Sequence, residues 1–221
     1  TVSEIGVGKA SFSSKLLDNG NGNVTDCGFC YSTSANPTTS DASISYGKAT
    51  GEYGKTVTGL NENTTYHVRA YAINELGTAY SEDVTFKTLE VTVPVLSSVT
   101  TGTIRNTSAE LEASVTSLGN GTLRDAGFVY STNQYPTLDD HMISCGKNTT
   151  LKTTAQGLTP ETKYYVRAYA TNEKGTAYGT EKAFTTTKTV VNPYTTIMVE
   201  TSYGSVQFDM AKVDGGTFTM G

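Results

Sequence analysis

Short runs in which hydrophobic and polar residues alternate recur along the chain, separated by turn residues. A period of two places successive side chains on opposite faces of a β-strand. One such run places Ala10, Phe12, Ser14 and Leu16 on one face of a strand, and its counterpart does the same with Ala109, Leu111, Ala113 and Val115. No segment keeps a helical period, and turn signals return about every 8 to 12 residues. The pattern predicts an antiparallel β-sandwich or barrel.

The chain contains an internal repeat. At a shift of 99, GNGNVTDCGFCYSTSANPT from Gly20 lies over GNGTLRDAGFVYSTNQYPT from Gly119. At a shift of 98, GLNENTTYHVRAYAINELGTAY from Gly59 lies over GLTPETKYYVRAYATNEKGTAY from Gly157. Self-similarity at one fixed period indicates repeated structural units. Two tandem copies therefore fill positions 1 to 188.

The strongest strand signal of each copy lies near its end, at 66–72 and 164–170. Its inward side chains are predicted to be Val68, Ala70 and Ala72 in the first copy and Val166, Ala168 and Ala170 in the second. The intervening positions, which include Arg69 and Arg167, are predicted to face outward.

Each of these strands opens with a tyrosine that follows Gly-Leu-x-x-x-Thr-x, and each ends in Ala-x-Asn. In these residues the chain resembles the fibronectin type III family, and the matching positions are Leu60, Tyr66, Val68, Ala70, Ala72 and Asn74 with Leu158, Tyr164, Val166, Ala168, Ala170 and Asn172. The resemblance implies that each tyrosine hydroxyl folds back onto the preceding turn. The tryptophan that the family usually buries is absent, and Phe12 and Leu111 are expected in its place.

The predicted fold class is all-β, with two tandem immunoglobulin-like (fibronectin type III) β-sandwiches and a short β-rich extension. The predicted domains are 1–90 and 91–188, joined through 89–96, with a linker and tail at 189–221. Short strands are expected in the tail at 195–201, 205–210 and 216–220. Residues 210–221, MAKVDGGTFTMG, resemble the opening of a formylglycine-generating (sulfatase-modifying factor) domain. The working cysteines and metal-site residues of that family would lie downstream, so no such activity is expected of this chain.

Cys27 and Cys30 form a Cys-x-x-Cys, a spacing used by dithiol redox enzymes and by zinc sites. The second copy has Ala126 and Val129 at these positions. Residues three apart on a strand face opposite ways, so the two sulfurs are expected to serve packing. An adventitious disulfide, a metal contact or redox catalysis remains the alternative. Cys145 corresponds to Tyr46 and is interpreted as a replaceable strand residue.

Other candidate sites also have a structural interpretation. The stretch 18–23, DNGNGN, is reminiscent of a calcium loop but has glycine where ligands are needed, so a turn is expected. His67 is expected on an outward strand position, and Leu138-Asp-Asp-His141 has no nucleophile paired with it. We therefore predict no catalytic residues, no metal and no cofactor.

The candidate interaction surface is an outward stripe of Arg69 and Tyr71, repeated as Arg167 and Tyr169. Exposed rings can dock a sugar or a protein, or the arginines can cover the sheet through cation-π contacts. The loops at Asn36-Pro37 and Tyr135-Pro136 are the alternative binding surface, with Tyr135 as a further candidate.

The chain has 16 Lys and Arg against 21 Asp and Glu, and the basic residues are scattered. Nucleic acid is therefore not an expected partner. No apolar run approaches the roughly 18 residues needed to span a membrane, and the first residue, Thr1, suggests a processed or excised piece.

The phrases YSTSANPT and KYYVRAYATNEKGTAY resemble type III variants of cell-envelope proteins in Bacteroides-like bacteria. This resemblance implies an extracytoplasmic location, at the cell surface or secreted, as a lipoprotein or exported precursor. The predicted function is a non-enzymatic spacer and interaction (adhesion-type) module, with a protein or a glycan as the possible partner. The alternatives are a carbohydrate- or protein-binding module and a non-catalytic fragment of a larger formylglycine-generating-type protein.

Overall fold

The computed structural model describes residues 1–48 and 51–189, together with the backbone of 194–201 and 204–211. Every helix or strand element in these ranges is a β-strand, so the predicted all-β fold class is confirmed. No described residue belongs to a helix long and apolar enough to cross a membrane.

The first eight strands build one unit, which we call the first sandwich. They are β1 (Val2–Gly6), β2 (Lys9–Lys15), β3 (Asp26–Ser32), β4 (Ala42–Ser45), β5 (Glu52–Thr58), β6 (Thr65–Asn74), β7 (Gly77–Tyr80) and β8 (Val84–Lys87). One sheet has the order β1-β2-β5, and the other has the order β4-β3-β6-β7, with β8 also paired to β6. All pairings are antiparallel.

The second sandwich repeats this arrangement with nine strands. They are β9 (Val95–Leu96), β10 (Thr100–Ile104), β11 (Ser108–Ser117), β12 (Asp125–Ser131), β13 (His141–Ser144), β14 (Thr150–Gln156), β15 (Lys163–Asn172), β16 (Gly175–Tyr178) and β17 (Lys182–Thr185). One sheet has the order β10-β11-β14, with β9 also paired to β11. The other has the order β13-β12-β15-β16, with β17 paired to β15.

Each core lies between the two sheets of its sandwich. In the first sandwich Phe12 of β2 contacts Phe29 of β3 and Phe86 of β8, with ring centroids 5.6 and 5.5 Å apart. Leu111 takes the position of Phe12 in the second core and is fully buried. The expectation that these two residues fill the place of a core tryptophan agrees with their burial. The predicted inward residues of β6 and β15 also pack on their cores.

The tyrosine at the start of β6 and of β15 makes the hydrogen bond that the family resemblance implies. Tyr66 Oη accepts a hydrogen bond from the Asn61 amide at 3.0 Å, and Tyr164 Oη accepts one from the Thr159 amide at the same distance. The tyrosine corner is therefore present in both sandwiches.

The tail contains a two-stranded hairpin of β18 (Tyr194–Thr201) and β19 (Gly204–Ala211). Two of the three strands predicted in the tail are thus present. The third, at 216–220, lies outside the described residues.

Candidate interaction surfaces

Cys27 and Cys30 lie on opposite faces of β3, as expected. Cys27 is fully buried in the first core, whereas Cys30 is fully buried on the other side of the sheet. Cys30 Sγ lies 3.2 Å from the carbonyl oxygen of Pro37 and donates to it. Burial raises the pKa of the Cys30 thiol, against a smaller lowering by Arg69. A thiol with a raised pKa is a poor nucleophile and a poor metal ligand at neutral pH.

We expect alkylation at pH 7.5 to leave Cys27 and Cys30 unmodified until the first sandwich unfolds, because neither sulfur is reached by solvent. Cys145 is partly exposed and is expected to react first, although burial also raises its pKa. Mass spectrometry after timed labelling, with and without urea, measures the order. Fast modification of both Cys27 and Cys30 in the native protein would contradict this prediction and would favour the redox interpretation.

Tyr71 and Tyr169 do not form an exposed stripe, and that part of the surface prediction is wrong. Their exposed fractions are 4% and 1%, so neither ring is available to a ligand. Tyr71 Oη donates a hydrogen bond to Asp26 Oδ2 at 2.9 Å, and Tyr169 Oη donates one to Asp125 Oδ2 at 2.6 Å. Both tyrosines point away from the core, as predicted. Other residues cover the outer face of the sheet at these two positions, so the rings are buried.

The other carboxylate oxygen of each aspartate accepts hydrogen bonds from the neighbouring edge strand or the turn after it. Asp26 Oδ1 accepts hydrogen bonds from Ser45 Oγ at 2.6 Å and from the Gly47 amide at 2.9 Å. Asp125 Oδ1 accepts one from Ser144 Oγ at 2.5 Å. The buried tyrosine, the aspartate and the serine thus link three adjacent strands, which is a structural role.

Arg69 and Arg167 do stack on tyrosines, but these tyrosines are not the ones in the predicted interaction surface. The Arg69 guanidinium lies 4.6 Å from the ring centroid of Tyr80, and that of Arg167 lies 4.7 Å from Tyr178. Their Nε atoms donate to the carbonyl oxygens of Ser81 and Gly179 at 2.8 and 3.1 Å. These cation-π contacts and hydrogen bonds hold the loops that follow β7 and β16. The arginines therefore cover the sheet, which is one of the two roles considered for them.

Tyr135 is exposed, with 69% of its surface open to solvent. Its backbone has a φ of 58°, in the left-handed region that disfavours residues with a bulky side chain. The Tyr135 amide donates a hydrogen bond to Glu181 Oε2, and the following Pro136 is fully buried. The loop is therefore held while the ring projects outward.

The first sandwich has the same loop without the ring. Asn36 has a φ of 56°, its amide donates to Asp83 Oδ2 at 2.8 Å, and asparagine tolerates this conformation well. Near Tyr135 along the chain, Leu138 and Met142 are also exposed, whereas the first copy has Thr39 and Ser43 there. We call Tyr135, Leu138 and Met142 the Tyr135 patch.

The remaining candidates have structural roles. His67 is half-buried on its outward position, with Nδ1 2.8 Å from Asp83 Oδ2. His141 stacks on Tyr130, and Asp140 Oδ2 accepts a hydrogen bond from the Thr137 amide at 2.9 Å. Asp18 Oδ1 accepts one from the Gly20 amide at 2.8 Å, as in an ordinary turn. Across the described part of the chain no three His, Cys, Asp or Glu side chains gather as metal ligands would.

The segment between the sandwiches is bonded to both of them. On the first side, Glu62 Oε2 accepts a hydrogen bond from the Val91 amide at 3.0 Å. On the second side, the Thr92 amide donates to the carbonyl oxygen of Gly119 at 2.8 Å, and Asn172 Nδ2 donates to the Thr92 carbonyl at 2.7 Å. Lys174 Nζ lies 3.6 Å from Glu62 Oε1 and connects the sandwiches directly. Sequence reasoning missed Glu62, whose counterpart in the second copy is Pro160.

No protein-family model matches the chain, and a search of curated proteins finds no match. Among solved structures, the chain is similar to the FN1–FN3 domains of chicken CNTN1, with 16% sequence identity and a TM-score of 0.36. The match covers 85% of this chain and 66% of that chain, so the chain spans slightly less than two thirds of that structure. The class defined by the sheets and the tyrosine corners of this chain is a tandem of fibronectin type III-like sandwiches.

Proposed function

We propose that this chain is a non-catalytic spacer and interaction module that holds its two sandwiches in a fixed relation. The observation that carries the proposal is the junction at 89–96, whose peptide groups are bonded to both sandwiches. Domains of one chain usually move relative to one another unless the interface between them is large and hydrophobic, so in this proposal the hydrogen bonds of the junction itself restrict the motion. Here the carboxylate of Glu62 and the amide of Asn172 hold the junction.

Export and a bacterial surface are part of the same proposal. They are supported by the sequence phrases that resemble envelope type III domains, and the partner class would be a protein or a glycan of that surface. The phrase at 210–221 supports a related role, in which the sandwiches present a formylglycine-generating-type domain. Sequencing the genomic region beyond the codon for Gly221 tests this last point, because such a domain must follow in frame.

The spacer proposal predicts that Glu62→Ala loosens the junction. Removing the carboxylate leaves the Val91 amide without its acceptor and removes the contact with Lys174. We expect residual dipolar couplings to fit one relative orientation in the parent protein and a broad distribution in the variant. Glu112→Ala is the control, since its ion pair with Lys152 at 2.5 Å lies inside one sandwich. Independent tumbling of the sandwiches in the parent protein would contradict the proposal.

A second candidate function is recognition of a protein or a glycan by the Tyr135 patch. Backbone strain kept at an exposed aromatic residue favours it, because such strain persists chiefly where it serves a function. The first sandwich, with Asn36 in the same conformation, lacks the ring and serves as an internal comparison.

We expect Tyr135→Asn to raise the free energy of unfolding by about 1 kcal/mol while abolishing binding. Urea unfolding measures the first effect, and a glycan array with a surface-protein pull-down measures the second. Because the variant is expected to be more stable, lost binding cannot be attributed to unfolding. Leu118→Ala is the binding control, since Leu118 is exposed and lies outside the patch. Unchanged binding by Tyr135→Asn would assign the interaction to another surface.

A further inference from the structure

One edge of the second sandwich is the strand β14, which has a neighbouring strand on one side only. Across the described residues, β14 pairs with β11 and with no other strand. Its seven residues read TLKTTAQ, and Lys152 is the single charged side chain among them. An edge strand of this kind presents a row of N–H and C=O groups with which a further strand can pair.

Alternate residues of β14 direct their peptide groups toward this free edge. The Val115 amide donates to the Thr149 carbonyl oxygen at 2.8 Å, and these two residues continue the β11–β14 register by one pair. Hydrogen-bonded and non-hydrogen-bonded pairs alternate along antiparallel strands. The peptide groups that face β11 are therefore those of Leu151, Thr153 and Ala155, and the peptide groups that face the free edge are those of Thr150, Lys152, Thr154 and Gln156.

The first sandwich carries a charge at the corresponding edge. Its edge strand β5 has Lys55 where β14 has Thr153, since these residues pair with the equivalent core positions of β2 and β11. Lys55 alternates with the buried Tyr53 and Val57, so it occupies an inward-facing position although its own side chain is exposed. An inward-pointing charge on an edge strand hinders the addition of another strand. In the second sandwich the same position holds the uncharged, half-buried Thr153.

The sequence of β14 suits pairing with a second copy of itself. When two β14 strands run antiparallel with Thr153 opposite its own copy, the edge-facing peptide groups of Lys152 lie opposite those of Thr154. Leu151 then lies opposite Ala155, so the apolar side chains of both strands stay on the core side. Threonines directly opposite each other stabilise an antiparallel pair, whereas a register centred on Lys152 would oppose two like charges.

The groups beside the free edge leave room for this pairing. Lys152 Nζ lies 2.5 Å from Glu112 Oε1, so its charge is paired within its own sandwich. The Lys152 amide is hydrogen-bonded to the thiol of Cys145, and sulfur is a weak acceptor that a carbonyl oxygen can replace. Cys145 is partly exposed at this edge, so a strand added there would cover its thiol.

We propose that β14 is a self-association edge, at which two copies of this chain pair antiparallel and join one sheet of each second sandwich into a continuous sheet. The contact consists chiefly of main-chain hydrogen bonds, because the inward side chains Leu151 and Ala155 are already buried. Such a small contact lies at the low end of specific interfaces, so the dimer is weak and reversible. The inference does not depend on the spacer proposal, which concerns the junction at 89–96.

Sedimentation velocity of the full chain between about 10 and about 1,000 µM tests the proposal, because weak interfaces associate in this range. We expect the sedimentation coefficient to rise with concentration from the monomer value toward the dimer value. Over the same range, amide exchange at Thr154 and alkylation of Cys145 are each expected to slow by at least about threefold.

Thr153→Lys gives this edge the residue that the first sandwich has at Lys55. We expect the variant to associate at least about tenfold more weakly and to keep its fold, because the first sandwich accommodates lysine there. Thr154→Pro is a second disrupting variant, since it removes a donor that faces the free edge and no hydrogen bond to β11. Thr100→Lys is the matched control: Thr100 is exposed on β10, the opposite edge of the same sheet, and this variant is expected to associate like the parent.

A parent chain that stays monomeric over this range would overturn the proposal. That holds even where an extended peptide from another protein slows exchange at Thr154, since the edge would then serve a different partner. Association that persists in both Thr153→Lys and Thr154→Pro would place the contact on another surface and would equally overturn it. Loss of association in Thr100→Lys would do the same, because that change leaves β14 intact.

Discussion

Gly127→Ala is expected to destabilise the second sandwich by at least about 3 kcal/mol in free energy of unfolding. A Cβ atom at Gly127 would lie 2.0 Å from the carbonyl oxygen of Ile143, and one at Gly28 would lie 1.9 Å from that of Ile44. Both obstacles are backbone atoms of the neighbouring edge strand, so no side chain can rotate away. The strand pair β12–β13 must separate to admit the methyl group.

Gly51→Ala is the matched control for this prediction. No described atom lies within 4 Å of the Cβ position at Gly51, and its φ is outside the left-handed region. Urea unfolding followed by far-ultraviolet circular dichroism measures both variants, and we expect the control to change the free energy of unfolding by less than about 0.5 kcal/mol. A Gly127→Ala protein as stable as its parent would mean that β13 does not lie against β12.

Raising the pH from 9 to 12 is expected to destabilise both sandwiches through their buried tyrosines. Burial, assisted by the hydrogen bond to Asp26, raises the pKa of Tyr71 to about 12, and burial beside Asp125 raises that of Tyr169 still further. The unfolded chain releases these protons near pH 10, so the unfolded state gains stability from that pH upward. The stability from the neutral phenol is complete below pH 10 and is lost as the pH rises through the folded pKa. For Tyr71 the loss is about 2–3 kcal/mol.

Tyr71→Phe separates this effect from general alkaline damage. At pH 7 the variant is expected to lose about 1–2 kcal/mol in free energy of unfolding, because Asp26 Oδ2 loses the hydrogen bond donated by the Tyr71 hydroxyl. Between pH 10 and 12 its stability is expected to fall less steeply than that of the parent. Tyr135→Phe, at an exposed position, is the control and should retain the parent slope. An identical slope in Tyr71→Phe would show that this phenol does not titrate with folding.

The fold was predictable because the signals that carry it are local. Alternation at 109–115 and the tyrosine that opens β6 and β15 depend on residues close in sequence, and the repeat doubled each signal. The comparison of Cys27 and Cys30 with Ala126 and Val129 was informative for the same reason. All four positions are fully buried.

The candidate surface was predicted less well. Alternation placed Tyr71 and Tyr169 on the outer face, but whether an outer face is covered depends on segments distant in sequence. Asp26, which binds the Tyr71 hydroxyl, lies 45 positions earlier in the chain. The arginines stack on Tyr80 and Tyr178, which lie on the next strand. The alternation of residues within one strand could not predict these partners.

The sequence alone determined that the chain forms strands, that the strands repeat as two sandwiches, and which apolar side chains face each core. Only the tertiary structure decided that the outer tyrosines are buried and that Glu62 and Asn172 bond to the segment between the sandwiches. The reason is physical: strand formation and side-chain direction follow from neighbouring residues. Whether an outward side chain is buried depends on which distant segment of the chain lies against it.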